Sequence, residues 1–362
     1  MVKKRVIIAM SGGVDSSVAA ALLVKKGYDA IGITMKIWPK DMCDNMAEKS
    51  CCSLEGVTYA RSVAEDLGMP YYVLDLHDEF EKNVTEYFCR QYLEGLTPNP
   101  CIICNEKMKF GILMRKADEL GAQFVATGHF ATGGFNKRLR RHLLKEGKDK
   151  SKDQSYFLFS LNQRQLERAM FPLGLYTKDK VRALAKKLGL STYNRPSSQD
   201  ICFVQDKGYG DVIKKRFQIE IEPGKIIDEF GKLLGHHKGY PFYTIGQRHG
   251  LGVAYKEPLY VIKINKTNNE IMVGPREKTK SKSFMVDKVN WVSIDGIYKP
   301  ISAHVKIRYN HEKSEAFLEP MVNGELRITF NAEQNSITPG QAAVFYDRDL
   351  VLGVGWIKEV LI

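Results

Sequence analysis

The feature that most constrains the fold is a seven-residue string near the start, Ser11-Gly12-Gly13-Val14-Asp15-Ser16-Ser17. It follows an apolar run, Val6–Met10, and leads into Ser16–Lys26, a helical pattern that stops at Gly27. A short apolar run cut off by glycine reads as a buried strand, so the order is strand, loop, helix. Two glycines let the backbone bend and come close to a ligand. The helix N-terminus then offers N–H groups and a partial positive charge to an anion. Serine hydroxyls add donors, and Asp15 is suited to help hold Mg²⁺. No Gly-Lys-Ser/Thr follows, so this is not a Walker A loop. A lone Gly-Gly before a serine would be an ordinary capped turn; the whole string in this context points to phosphate binding.

The same alternation continues to about residue 130. Tyr28–Met35, Tyr71–Leu76 and Phe124–Thr127 read as strands, and Leu54–Leu67, Glu79–Leu93 and Met108–Leu120 as helices. Strands alternating with helices at this spacing predict β–α–β units, hence an α/β domain with a doubly wound parallel sheet. Helical patterns return at Gln163–Met170 and Lys178–Leu188. From about Pro223, short β-type runs separated by Gly, Asn and Pro predict small β domains or a barrel. The expected division is a catalytic domain over 1–204, a small β-rich central domain over 205–276 and a C-terminal β-barrel over 277–362.

The chain carries 54 Lys and Arg against 42 Asp and Glu, a net charge of +12. Residues 136–152 concentrate eight Lys or Arg against two acids. Such a strip is either a solvated surface or a site for a polyanion, since basic side chains release counterions from phosphates. No run approaches the roughly 20 apolar residues of a membrane span, and the first apolar run is too short for a signal-peptide core. A cytoplasmic protein without a membrane partner is expected. Seven cysteines, at 43, 51, 52, 89, 101, 104 and 202, argue against a disulfide framework. Cys101 and Cys104 form a C-x-x-C pair within Thr97–Asn105, close to Lys107 and Lys109, where a thiol pKa should fall. Cys202 lies in a Ser/Asp-rich turn. Cys89 reads as a small buried hydrophobe. Cys43, Cys51 and Cys52 have no assigned role.

The Ser11–Ser17 string resembles the loop of the N-type ATP pyrophosphatases, which release pyrophosphate and place AMP on a substrate oxygen. Met10–Ser17, Asn99–Asn105, Ala126–His129, Lys152–Phe157, Asp200–Phe203, Thr244–Arg248 and Thr338–Gln341 occur in one order. Together they resemble, over essentially the whole chain, the bacterial-type tRNA-specific 2-thiouridylases. That family replaces the C2 oxygen of the wobble uridine with sulfur in tRNAs for Lys, Glu and Gln. The resemblance implies that Ala9, Met10, Ser11, Gly12, Gly13, Val14, Asp15 and Ser16 contact ATP phosphates, with Met35 and Gly128 lining the adenosine. It implies that Asn99, Pro100 and Cys101 border the flipped-out base, that Cys104 is a catalytic nucleophile and that Cys202 carries a persulfide. His129, Lys152, Asp153, Gln154, Arg308, Tyr309 and Gln341 would lie on tRNA. ATP and Mg²⁺ would be required, with tRNA and a sulfur-donor protein or sulfide source as partners.

One position departs from the family. Many members have Asp where this chain has Cys101. Cys101, Cys104 and Cys202 could therefore hold three irons of a [4Fe–4S] cluster, as an alternative to the persulfide route. The related cytidine thiolases resemble this in using a C-x-x-C and a distant Cys. Zn²⁺ lacks an evident fourth ligand. Competing readings are a cytidine thiolase or lysidine-type ligase of the same superfamily, or a non-catalytic RNA-binding protein.

Overall fold

A computed structural model describes residues 3–38, 54–195, 201–204, 209–217 and 220–361. Cys43, Cys51, Cys52 and Asp200 lie outside the described residues. Strand β1 (Arg5–Ala9) is central in a five-stranded parallel sheet of order β3-β2-β1-β4-β7. Its neighbours are β2 (Asp29–Lys36), β3 (Tyr71–Asp75), β4 (Phe124–Ala126) and the short β7 (Ala169–Met170). Side chains alternate across a strand, so β1 divides the core between two faces. Val6 and Ile8 meet Val14, Val18 and Ala19 of α1 (Val14–Lys25). Ile7 joins Phe88, Phe110 and Leu113 on the other side. All three strand residues are fully buried, and each burial contributes about 2 kcal/mol. Helices on both faces make this the doubly wound sheet that the alternation predicts.

Two helices are longer and less regular than expected. The first runs from His77–Phe80 through a π-helical turn, Glu81–Thr85, into Glu86–Leu93. The second was expected at Met108 but opens at Pro100–Ile103, passes through π-helical Cys104–Ile112 and ends in Leu113–Glu119. Pro100 at the first helical position suits a helix start, because its missing N–H would have no partner there. The C-x-x-C pair thus lies on the helix, not before it. Single π-turns within helices are frequent at functional sites.

The basic stretch holds a larger difference. Residues Ala131–Asn136 (β5) and Arg141–Glu146 (β6) form an antiparallel hairpin that leaves the first domain and extends the C-terminal sheet. Lys145 pairs with Leu350 of that sheet. Six strands close the barrel itself: β12 (Lys280–Trp291), β13 (Ile301–Lys306), β14 (Ser314–Pro320), β15 (Leu326–Asn335), β16 (Ala342–Asp347) and β17 (Leu350–Leu361). Pairing of β12 with both β15 and β17 completes the ring. Between the two domains, β8 (Gly224–Ile227), β9 (Leu233–His237), β10 (Tyr260–Asn265) and β11 (Glu270–Gly274) form a separate four-stranded sheet.

The barrel is docked on the first domain by buried contacts. Leu144, Tyr156 and Phe159 share one hydrophobic cluster with Val344, Tyr346 and Val351. Polar bonds cross the same seam: Tyr156 Oη donates to Ala342 O at 3.0 Å, and Asn290 Nδ2 donates to Phe159 O at 2.8 Å. Arg141 donates to the carbonyls of Trp291 and Val292. Among the described residues, no helix is long and apolar enough to cross a membrane.

Candidate active site

In an open α/β sheet, ligands bind beyond the carboxyl ends of the strands, where the strand order reverses. Here that point lies between β1 and β4, and the Ser11–Gly13 loop and Gly128 follow those two strands. Gly12 has φ +70°, and a Cβ there would stand 2.1 Å from the Gly56 carbonyl oxygen. Gly128 packs as closely: its Cβ would meet Asp15 C and Ser16 N at 2.8 Å. Both glycines let backbone touch backbone, which gathers the loop, the first turn of α1 and the helix Leu54–Asp66 around one small space.

The serines of the loop bond to one another and to its backbone. Ser11 N–H donates to Ser16 Oγ at 3.2 Å, and the hydroxyls of Ser16 and Ser17 donate to Gly13 O at 3.1 and 3.0 Å. Gly13 is the N-cap of α1 and no side chain caps the helix, so its first-turn N–H groups suit an incoming phosphate. Met10 and Met35 are buried. Met35 is the last residue but one of β2, and Ala9 ends β1.

Two cationic residues that the sequence analysis did not single out reach this loop. Lys178 Nζ lies 2.6 and 2.7 Å from the two carboxylate oxygens of Asp15. The carboxylate proposed for Mg²⁺ thus already has a cationic partner. Arg195 donates to Gly12 O at 3.2 Å and to Glu55 Oε2 at 3.0 Å, with its guanidinium 4.5 Å from the centre of the Tyr59 ring. Only the helix start after Thr177, which caps Lys180 N–H, left a local sign of where Lys178 would sit. The Asp15 and Lys178 side chains are 31% and 11% exposed. Lys178→Met is therefore expected to lower the unfolding free energy by about 1–2 kcal/mol, short of the about 3–5 of a fully buried pair. Urea denaturation measures this, and adding Asp15→Asn should recover part of the loss.

The thiols lie on the other face of the sheet. The helix opening at Pro100 runs down to β4, so its start lies at the carboxyl edge of the sheet, as the phosphate loop does. Cys101 and Cys104 are half-buried there, and Asn105, which is buried, donates to Phe157 O at 2.9 Å. Cys104 and Cys202 pack against the same hydrophobic cluster. The residue after Cys202, Phe203, stands edge-on to Phe80 and Phe88 at 5.6 and 5.1 Å. Cys89 is fully buried, as expected, and burial pushes its thiol up to about 12. Among the described residues, no three His, Cys, Asp or Glu side chains are gathered so as to hold a metal ion. Cys101, Cys104 and Cys202 are all among the described residues.

The residues expected on tRNA divide into two kinds. Lys152 is exposed, and Tyr309 is half-buried with its ring 4.5 Å from that of Phe157. The others brace the fold. His129 is buried, its Nδ1 2.7 Å from Thr127 Oγ1, and burial holds its pKa well below the usual range. Asp153 is buried and accepts from Gly147 N–H and from the Ser155 hydroxyl and N–H. Gln154 Oε1 accepts from Phe130 N–H at 3.0 Å. Arg308 donates to Thr338 Oγ1, Ser336 O and Ile245 O, and Gln341 Nε2 donates to Thr97 O at 2.8 Å. His129 and Asp153 are thus buried and hydrogen-bonded within the first domain in the chain alone.

Three family models cover the chain in order. They are described as a tRNA methyl transferase HUP domain (residues 4–206), a tRNA methyl transferase PRC-barrel domain (210–275) and an aminomethyltransferase beta-barrel domain (281–357). A tRNA-specific 2-thiouridylase MnmA of Acetivibrio thermocellus is 46% identical over 359 residues, covering 99% of this chain and 100% of its own. A protein of the same name from Clostridium perfringens is 45% identical over 100% of both chains. Another, from Heliobacterium modesticaldum, is 47% identical over 99% of this chain and 94% of its own. Similarity at this level along the whole length, over a fold with the loop and thiols in place, means that the chain belongs to the family of the tRNA-specific 2-thiouridylases.

Proposed function

We propose that this protein carries out the ATP-dependent 2-thiolation of the wobble uridine in tRNAs for Lys, Glu and Gln. The observation that supports it most is the pairing, at one edge of the sheet, of an uncapped phosphate loop with the opening of a thiol-bearing helix. Either feature alone has many uses. Together they suit a reaction that first makes an oxygen a leaving group and then displaces it with sulfur.

The uracil O2 attacks the α-phosphorus of ATP, pyrophosphate leaves, and O2 becomes part of a bound AMP. The loop grips the outer phosphates with N–H groups and hydroxyls, and Mg²⁺ accompanies the nucleotide. A persulfide donor passes its sulfane sulfur to the Cys202 thiol and is itself left as a thiol; the terminal sulfur of the Cys202 persulfide attacks C2, and AMP departs with the former carbonyl oxygen. The Cys104 thiolate then attacks Cys202 Sγ. The sulfur–sulfur bond breaks toward the base, leaving the thiocarbonyl and a Cys104–Cys202 disulfide, which an external thiol reduces. Such exchange favours thiols with a substantial thiolate fraction. The target must leave the anticodon stack to be reached, and this extrusion costs least in a single-stranded loop. Exposed Lys137, Arg138, Arg140, Lys148 and Lys152, on the hairpin and the loop after it, suit the phosphates of the tRNA.

The test is nucleoside mass spectrometry of tRNA incubated anaerobically with protein, ATP, Mg²⁺, a persulfide donor of sulfane sulfur and a reducing thiol. One 2-thiouridine per AMP is expected, with none when ATP is omitted. Absence of 2-thiouridine under these conditions would overturn the reading.

A further inference from the structure

The turn Thr338-Pro339-Gly340-Gln341 belongs to the barrel, yet its hydrogen bonds reach the segment that opens the thiol helix. Thr97 N–H donates to Pro339 O at 3.0 Å. In return, Gln341 Nε2 donates to Thr97 O at 2.8 Å and, at greater length, to Pro98 O at 3.4 Å. One turn thus bonds both backbone groups of Thr97. Gly340 has φ +88°, and a Cβ on it would stand 2.8 Å from Leu96 Cβ and from Thr97 N. The two segments touch with no room for a side chain between them.

The turn is anchored behind this contact. Gly340 N–H donates to Ile357 O at 2.9 Å, and Ile357 N–H donates to Gln341 O at 2.8 Å. Arg308 holds Ser336 and Thr338 and also reaches Ile245 of the central domain. That domain grips the same segment: Tyr240 Oη donates to Leu93 O at 2.7 Å, and Thr97 Oγ1 lies 3.4 Å from Thr244 Oγ1. Between Thr97 and Cys101 stand Pro98, Asn99 and Pro100. Two prolines with fixed φ make that connection stiff, so a shift at Thr97 passes to the thiols.

We propose that the Thr338–Gln341 turn is a positioning element for the thiol helix, with Gln341 setting the place of Cys101 and Cys104 through Thr97 and Pro98. Its catalytic consequence rests on the function proposed above, and its geometric consequence does not. Gln341 acting only as a tRNA contact would set affinity. Acting through Thr97, it sets how much adenylated tRNA goes on to receive sulfur.

The experiment uses full-length Gln341→Ala, Gln341→Glu and Gly340→Ala. Gln341→Glu keeps the length and removes the donor, while Gly340→Ala alters the contact without removing any side chain that could touch RNA. Three quantities are read: the tRNA Kd, 2-thiouridine formed per AMP, and iodoacetamide alkylation rates at Cys101 and Cys104 in reduced protein, by peptide mass spectrometry. Buried Cys89 is the internal reference. In the Gln341 variants, the alkylation rates of Cys101 and Cys104 are expected to shift at least about 3-fold, with Kd held within about 2-fold. The thiouridine-to-AMP ratio should drop about 10-fold or more, the scale on which small misplacements of reacting groups act. Gly340→Ala should repeat the pattern, and if it does not fold the two Gln341 variants decide. Unchanged alkylation would overturn the proposal, as would Kd and thiolation falling together with the ratio intact. Wild-type protein that makes no 2-thiouridine would sink the functional reading, while the alkylation comparison would still decide the geometric one.

Discussion

With serine at position 202, the protein should still convert ATP to AMP on tRNA and should make no 2-thiouridine. The loop proposed to grip ATP is built from β1, α1 and Gly128. Cys202 is half-buried and packs against the cluster that also receives Cys104. Serine is nearly isosteric there, so the fold should hold. Its oxygen cannot carry a persulfide, and thiolation should fall by at least about 10³-fold, the scale of losing an essential nucleophile. Cys104→Ser should fail later in the sequence, with a persulfide or a trapped adduct left on Cys202 that intact-mass spectrometry would detect. Cys101 separates the two accounts of how sulfur is held. In the persulfide scheme Cys101→Asp, the residue common in the resembled family, keeps most of the activity; a cluster ligand replaced in this way would cost nearly all of it. Cys202→Ser protein that still produced 2-thiouridine at the parent rate from the same persulfide donor would overturn the persulfide scheme.

How much of this was legible in the sequence depended on how local the cause was. Val6–Ile8, the Ser11–Ser17 string and α1 lie within about one β–α unit, and their periodicity and glycines fix their form with little help from elsewhere. The hairpin at 131–146 was read only as positive charge, because its strand partner is Leu350 and nothing near residue 140 signals that pairing. Lys178 and Arg195 were missed for the same reason: each reaches the loop from far along the chain. The start of the thiol helix was misread because Thr97–Pro100 carries turn residues, whereas Pro100 at a first helical position is itself a start signal. Motifs taken from the resemblance mix buried and exposed residues. His129, Asp153 and Gln154 are hydrogen-bonded to Thr127, Gly147 and Phe130 of the first domain, while Lys152, in the same short string, faces solvent.

The second large effect is expected at Gly12. Alanine there meets two obstacles that no neighbouring residue can relieve. Its φ of +70° is the left-handed region, which costs an L-residue about 1–2 kcal/mol. Its Cβ would also lie 2.1 Å from the Gly56 carbonyl oxygen, which belongs to the first turn of the helix Leu54–Asp66. That oxygen is backbone and cannot swing aside, so the loop must leave its place or the helix must shift. Either change displaces the Ser11 and Ser16 groups that shape the phosphate site. AMP formation should fall by about 10²-fold or more, since preorganised donors lose most of their value once displaced. Thiolation should fall with it, unlike the result at Cys202. Gly13 supplies the contrast. It sits at φ −90° and ψ 160°, open to any residue, and the nearest atom to an added Cβ is Ser11 Oγ at 3.5 Å. Gly13→Ala should therefore fold as the parent does, and any loss of ATP use there reports on the space that the nucleotide itself needs. Gly128→Ala should behave like Gly12→Ala, because its Cβ would press on Asp15 and Ser16 backbone at 2.8 Å. Rates of AMP release by the three variants, read beside their melting temperatures, would test this ordering. Parent-like activity in Gly12→Ala would mean that the loop does not work in the conformation described here.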